Sequence, residues 1–500
     1  MPLSPGQTSQ VSTAPTEHSE DVGAGPVRQY RAAPFSASKQ IEQHLGMRPV
    51  RTPLESYSLL KGLEEQGELP HPAVIARLST SMARLGLADK VAELYQYAHA
   101  ALTHQPDDKR LDAWFTVEDQ MLMACCLLGR LEQAGAHRAA ILEQNRVPSA
   151  ESYALMISSA KDTTDDASVA RELWEESQNL GVKPTLFLYN TVISKLSRAR
   201  KAESALDFFK QMKAQGIRPS SVTYGAVINA CCRVGDAESA ATLFEEMQAI
   251  PNHKPRVPPY NTMMQLHLQS HPSRELVLHY YNQMVQANVA PSAHTYKLLL
   301  DAYGTLEPVD LGAMRTVFNN LCKDTSVSVT GTHWASMIHA TGNVAGNAQE
   351  AIDMFESIST HPSNKKGGPI EPVCWEALMS VLAQHKMVAE MESYRAKMKE
   401  QGIKSTAYVY NMLIKGFANN GQIEDARAVF ESMGDGEMGK AAPNNHPTLL
   451  TSSGQVKPAT TADTTVVFRE PSTYETMIRA ELQAGDKDAA RAICDRMEAR

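Results

Sequence analysis

Tyr189-Asn-Thr-Val-Ile193, Ala205-Leu-Asp-Phe-Phe-Lys-Gln-Met212 and Gly216-Ile-Arg-Pro219 follow one another near the middle of this 500-residue chain, and their order decides the fold. The first opens an apolar stripe at helical spacing: Tyr189, Val192, Ile193 and Leu196. The second carries its own stripe, Ala205, Leu206, Phe209 and Met212, after a polar turn. Gly216 suits a helix C-terminus and Pro219 blocks continuation of the helix. The segment therefore reads as helix, turn, helix, stop.

The pattern recurs. Thr223-Tyr-Gly-Ala-Val-Ile228, Pro259-Tyr-Asn-Thr-Met-Met264, Thr295-Tyr-Lys-Leu-Leu-Leu300 and Val409-Tyr-Asn-Met-Leu-Ile414 align with Leu188-Tyr-Asn-Thr-Val-Ile193. The anchor aromatics are Tyr153, Tyr189, Tyr224, Tyr260, Tyr296, Trp334, Trp375 and Tyr410, spaced by 36, 35, 36, 36, 38, 41 and 35 residues, with Tyr474 another 64 on. One helix pair of about 35 residues cannot bury both its faces, so neighbours must stack. The expected fold class is all-α, a solenoid of stacked helix-turn-helix repeats. Anchors and stripes are scaffold.

The pattern divides the chain. Residues 1–50 are rich in Ser, Thr, Pro, Gly and Ala without apolar period, and are expected to be disordered. Residues 51–147 hold degenerate helical repeats that lack the Tyr anchor. The regular array runs over 148–433. Residues 434–470 break the period and read as a flexible low-complexity insertion, and 471–500 as a final repeat. That repeat resembles an array interior, so the array either continues past Arg500 or ends without a cap.

Composition excludes several classes. With 43% hydrophobic and 21% charged residues the chain can build a core. A net charge of −8 argues against a generally basic nucleic-acid binder and leaves room only for a local basic face. Residues 181–257 supply one: eleven Lys or Arg stand against six Asp or Glu. Lys195, Arg198, Arg200 and Lys201 cluster at an inter-helix turn, and Lys183, Arg218, Lys254 and Arg256 near repeat ends. A solvated helix face is the alternative. Seven cysteines form no CxxC pair, and no HExxH occurs among sixteen His, so neither a metal nor another cofactor is expected. No apolar run approaches the ~18 residues of a membrane span. Zinc-deaminase, P-loop and dinucleotide glycine signatures are absent, and the expectation is a non-enzyme.

The quoted segments closely resemble the pentatricopeptide repeat, over roughly 150–500 and in degenerate form back to about residue 70. The resemblance implies a right-handed superhelix that binds single-stranded RNA, mostly in mitochondria or plastids, at about one base per repeat. In that family the residue after the anchor and the last residue of the repeat specify the base. Carried over, these are Asn190 with Ser220 and Asn261 with Ser292. Asn411 has the expected type, with its partner lost in the insertion. Gly225 with Arg256, Lys297 with Thr330, Ala335 with Glu371 and Glu376 with Thr406 depart from the pattern. Positions two before each anchor stack on bases, and Phe187, Val222 and Tyr408 suit that role. Asn and Ser at helix starts also fit simple capping.

The function so implied is a non-catalytic RNA-binding adaptor of mitochondrial RNA metabolism: rRNA end processing and small-subunit assembly, mRNA stability, or translation. Lys195, Arg198 and Lys201 are expected to meet phosphates. The alternative is a protein-binding scaffold, for example one associated with mitoribosomal proteins. Against a mitochondrial address, the first 27 residues contain Glu17, Glu20 and Asp21 but no Lys or Arg; Arg28 and Arg31 follow.

Overall fold

Turn chemistry sets the unit. In the computed structural model, which describes residues 30–46, 53–160, 166–251, 254–364, 368–435 and 466–499, successive helices are joined by short caps. Gly235 closes one helix in the left-handed region, φ 80°, and Asp236 at once opens the next by accepting from Ser239 N at 3.0 Å. Gly485 and Asp486 repeat the device at φ 85° and 2.9 Å. Gly tolerates this φ because it has no Cβ, and Asp satisfies an otherwise orphaned N–H.

The chain packs as two units, 1–195 and 196–500. The first contains a two-stranded parallel sheet, β1 (Arg31–Ala32) with β2 (Glu68–Leu69), and helices α1 (Phe35–Gly46), α2 (Pro53–Glu65), α3 (Pro72–Arg84), α4 (Ala88–Leu102), α5 (Asp107–Leu128), α6 (Leu131–Glu143), α7 (Ala150–Ser159) and α8 (Asp166–Asn179). It ends inside α9 (Leu186–Arg198). Alternate helices α3, α5 and α7 pack in sequence, with partners beside them. Residues 1–50 are not uniformly unstructured: α1 buries Ile41 in a core with Leu60, Ile75 and Leu78, and Ser38 Oγ accepts from His71 N at 3.0 Å. Residues 1–29 lie outside the described residues.

The second unit continues with α10 (Ala202–Ala214), α11 (Ser221–Val234), α12 (Ala237–Gln248), α13 (Val257–Gln269), α14 (Arg274–Gln286), α15 (Ala293–Thr305), α16 (Leu311–Lys323), α17 (Gly331–His339), α18 (Ala348–Ser357), α19 (Pro372–Gln384), α20 (Val388–Glu400), α21 (Ala407–Asn419), α22 (Ile423–Glu431), α23 (Pro471–Ala484) and α24 (Lys487–Glu498). Odd-numbered helices α11 to α23 form one layer, each against the next, and even-numbered helices pack behind them. The fold is an all-α solenoid of helix pairs.

An aromatic ring on the second helix of a repeat meets the anchor of the next. Phe209 meets Tyr224 and Phe244 meets Tyr260, both with centroids 5.2 Å apart. Phe318–Trp334, Phe355–Trp375 and Phe430–Tyr474 follow at 4.6, 4.8 and 5.5 Å. Within the first unit Trp174 meets Tyr189 at 4.7 Å.

The edges of the expected insertion are ordered. Gly434 N donates to Val467 O at 2.9 Å, and Arg469 N to Gly434 O at 2.8 Å. The buried Arg469 side chain donates to Phe430 O and pairs with Glu431 and Asp435 at 3.1 and 2.8 Å. Residues 434–435 and 466–470 are therefore a packed base, not flexible chain; 436–465 lie outside the described residues.

A buried carboxylate joins three helices of the first unit. Glu118 on α5 accepts from Tyr95 OH at 2.9 Å and meets His99 Nε2 on α4 at 3.3 Å and His137 Nδ1 on α6 at 2.6 Å. Burial alone would raise the Glu118 carboxyl, but hydrogen bonds from His137, His99 and Tyr95 hold it near about 2. Burial alone would lower His137; bonds with Cys125 and Glu118 instead lift it from 6.5 to about 9. The His137 contribution to stability is thus complete below pH 6.5 and lost as pH rises through about 9, while that of Glu118 holds above pH 4.5. Urea melts should show a lower midpoint at pH 9 than at pH 6.5, with the difference reduced in His137→Gln.

Candidate nucleic-acid interface

The expected specifying residues lie at the N-terminal ends of the odd-numbered helices, where caps are built. Ser220 and Ser292 are N-caps: each Oγ accepts from the backbone N–H of Thr223 or Thr295, at 3.3 and 3.2 Å, and the Thr hydroxyl returns a bond to the cap N–H. Asn261 on α13 is buried and reaches across to the next cap. Its Nδ2 donates to Ser292 Oγ at 3.3 Å, and its Oδ1 accepts from Thr295 Oγ1 at 2.8 Å. The capping role and the position beside the next repeat are thus combined in one pair.

Asn411 follows the same logic across the insertion. Its Nδ2 donates to Ser472 Oγ at 3.1 Å, and Glu470, four before the anchor Tyr474, caps α23. The expectation that the insertion removes its partner is corrected: the packed base of the insertion returns the chain to the neighbouring position. The Oδ1 atoms of Asn190 and Asn411 are enclosed with no hydrogen-bond partner among the described residues. An enclosed acceptor without a donor costs about 1–3 kcal/mol, so each favours an incoming donor.

The three expected stacking residues are exposed although apolar: Phe187 by 46%, Val222 by 58% and Tyr408 by 41%. In the second unit the odd helices enclose a groove of about 480 Å³ over α13 to α21. Positions two before an anchor (His294, Thr332, Val373, Tyr408) and one after it (Lys297, Ala335, Glu376) all line it. The layer of first helices therefore presents these positions on one surface. Lys297 is held by Asp301 at 2.5 Å, and Ser336 Oγ donates to the same carboxylate at 2.6 Å. Burial pushes the imidazoles of His294 and His339 below their ordinary range, which leaves them neutral at pH 7. The burial of these histidines and the groove itself are not visible in sequence; only the stacked register assembles them.

The cation cluster at the inter-helix turn does not stay together. Lys195 is buried and only 5% of its side chain is exposed. Its Nζ donates to Ala160 O and pairs with Asp166 at 3.0 Å, so it is a structural lysine that ties α9 to α8, not a phosphate contact. Sequence adjacency to Arg198 hid this, because Lys195 falls on the inward face of α9. Arg198 and Lys201 are exposed. They stand at the C-terminal end of α9, about 12 Å along the axis from Asn190 at 1.5 Å per residue. Exposed Lys183, Arg218, Lys254 and Arg256 flank the N-terminal ends instead, beside the specifying positions. Lys195→Ala removes the bonds to the Ala160 carbonyl and Asp166 and opens space on the inward face of α9, and should lower the stability of the first unit by about 1–3 kcal/mol in urea melts.

Comparison with known proteins identifies the repeat. A model of the PPR repeat family matches residues 184–233, a PPR repeat model matches 222–250, 373–403 and 472–500, and another PPR repeat model matches 401–434. The chain is 36% identical over 443 residues to pentatricopeptide repeat-containing protein 5, mitochondrial, of Schizosaccharomyces pombe. That match covers 87% of this chain and 33% of the relative, so the chain spans about a third of the relative's length. Among solved structures, the pentatricopeptide repeat protein PPR10 from maize aligns over 93% of this chain and 68% of its own, at 15% identity and a TM-score of 0.45. PPR10 in complex with an 18-nt psaJ RNA element aligns over 93% and 74%, at 19% identity and a TM-score of 0.31. The matched repeats coincide with the helix pairs α9–α12 and α19–α24, and the chain belongs to the pentatricopeptide-repeat family.

Proposed function

We propose that this chain is a non-catalytic adaptor that binds single-stranded RNA and serves mitochondrial RNA metabolism. The observation that carries the proposal is the edge formed by the N-terminal ends of the first helices. In the first unit Lys183, Phe187 and Asn190 lie at that end of α9, and in the second unit exposed Val222 and Tyr408, the Asn411 amide and the cations Arg218, Lys254 and Arg256 lie at the same end of their first helices. Phe187, Val222 and Tyr408 offer flat or apolar faces to bases, and Asn190 and Asn411 offer an amide oxygen without a bound donor to base edges, whereas the expected reader Asn261 spends its amide on Ser292 and Thr295. Lys183, Arg218, Lys254 and Arg256 lie where helix N-termini already favour anions. The mitochondrial setting is supported by the likeness to the mitochondrial pentatricopeptide repeat-containing protein 5 of Schizosaccharomyces pombe. By binding, such an adaptor would shield or hold open a strand during rRNA end processing and small-subunit assembly, mRNA maintenance or translation.

One observation favours a second reading, a protein-binding scaffold of the kind associated with the mitoribosome. The groove over α15 to α19 carries the Lys297–Asp301 ion pair and Glu376 in place of amides, within a chain of net charge −8. Salt separates the two. RNA binding through n phosphates should weaken by about 0.7n log units per log unit of salt, measured by filter binding between 50 and 200 mM salt. A flat profile would remove the RNA reading.

Site-directed variants test the edge assignment. Asn190→Ala with Asn411→Ala should flatten the preference at two positions of a selected RNA consensus and leave the others in place. Lys254→Ala with Arg256→Ala should weaken binding to all sequences by a similar factor and reduce the salt slope by roughly 1 to 2 phosphates. Unchanged affinity and consensus in both would overturn the assignment.

A further inference from the structure

We infer that Glu376 makes a guanine-selective subsite of the groove between α19 and α21, an inference that rests on the RNA-binding reading. Glu376 follows the anchor Trp375 where Asn190, Asn261 and Asn411 follow theirs, and it lines the 480 Å³ groove together with Val373, Ala377, Ser380 and Tyr408. Val373 stands one turn before it on α19, and Tyr408, 41% exposed, stands on the next first helix, α21. These two side chains make an aliphatic wall and an aromatic wall of one cavity, with the carboxylate at its edge.

The carboxylate is oriented. Thr406, the N-cap of α21, donates its hydroxyl proton to Glu376 Oε1 at 2.7 Å. Among the described residues no Lys or Arg forms an ion pair with Glu376, since Lys297 is committed to Asp301. A carboxylate offers about four lone-pair sites, so one bond from Thr406 leaves acceptors on both oxygens. The group therefore presents a rigid acceptor–acceptor pair to whatever lies between Val373 and Tyr408.

Only guanine matches that pair on its Watson–Crick edge. Its N1–H and N2–H₂ are adjacent donors and can bond the two carboxylate oxygens together. Adenine and cytosine each place a ring-nitrogen acceptor beside the exocyclic amine, and uracil flanks its single N–H with two carbonyls. Each of those bases would set an acceptor against a carboxylate oxygen, which a site built for donors rejects. A bidentate contact of this kind discriminates by about tenfold or more.

The test is selection of a randomised 14-nucleotide single-stranded RNA pool on the full chain, with sequencing of the retained fraction. One position of the consensus should be fixed as guanine, next to the position that Asn411→Ala flattens, since α19 and α21 are adjacent first helices. Glu376→Gln keeps the Thr406 bond but turns one acceptor into a donor, and should exchange guanine for adenine or cytosine, which both set a ring-nitrogen acceptor beside an exocyclic amine, at that position alone. Glu376→Ala should flatten it without gaining either base. An unchanged consensus in both variants overturns the subsite and leaves RNA binding standing. If the parent chain retains no pool RNA, the RNA-binding reading fails and the subsite with it. Retention instead of an arginine-containing peptide, lost in Glu376→Gln, would also overturn the inference by assigning the carboxylate to a guanidinium.

Discussion

The solenoid depends on one repeated contact: an aromatic ring near the end of a second helix lies edge-on against the anchor ring that opens the next repeat. Phe209–Tyr224, Phe244–Tyr260, Phe318–Trp334, Phe355–Trp375 and Phe430–Tyr474 keep their centroids between 4.6 and 5.5 Å. Such a pair adds about 0.5–1.5 kcal/mol beyond the burial of its rings, and it also fixes direction. It sets how far each first helix is displaced from its predecessor, and hence which side chains share the inner surface. Several anchor hydroxyls find carboxylates, as Tyr224 does at Glu246 and Tyr296 at Asp324. Trp at 334 and 375 keeps the ring and drops that bond.

From this displacement follows a division of labour along each first helix. The N-terminal turn carries the cap, the residue that reaches the neighbouring cap, and the exposed apolar side chain. The middle of the helix is core. The C-terminal end, with Arg198 on α9, leads into the turn on the opposite edge. Surface chemistry varies in the first of these zones. Asn261 occupies its amide with Ser292 and Thr295, Lys297 neutralises itself on Asp301, and Glu376 stays open on one side. The scaffold is constant, while the surface chemistry changes from repeat to repeat.

Most of the fold was legible because the information is periodic. Tyr189, Val192, Ile193 and Leu196 identify a helix face by themselves, and recurrence near 35 residues identifies the stack. What was not legible is non-periodic. Lys195 looks like its exposed neighbours until the turn of α9 places it against Ala160 and Asp166. Helix α1 has few apolar residues, and Ile41 gains its burial from α2 and α3, which no local pattern announces. Arg469 reads as one polar residue after a low-complexity stretch, yet it is enclosed by groups from α22 and the segment that follows it. Of the candidate site, residue types at fixed offsets from the anchors were readable. The Lys297–Asp301 pair is an i,i+4 spacing within α15, but the tether on Glu376 needed the neighbouring repeat in place.

The base of the insertion has a consequence for how such an array keeps count. Anchors advance by 35, 36, 38, 41 or 64 residues, yet each advance adds one first helix to the layer. The Gly434–Phe468 bridge and the Arg469 clamp bring both ends of the longest interval to one point, and Phe430 still finds Tyr474. Closing a longer loop costs little additional free energy, because the entropy grows only with the logarithm of its length. The frame is thus kept by contacts in space rather than by chain length. The junction behaves as a splice point, where sequence can be gained or lost without shifting the phase of the repeats on either side.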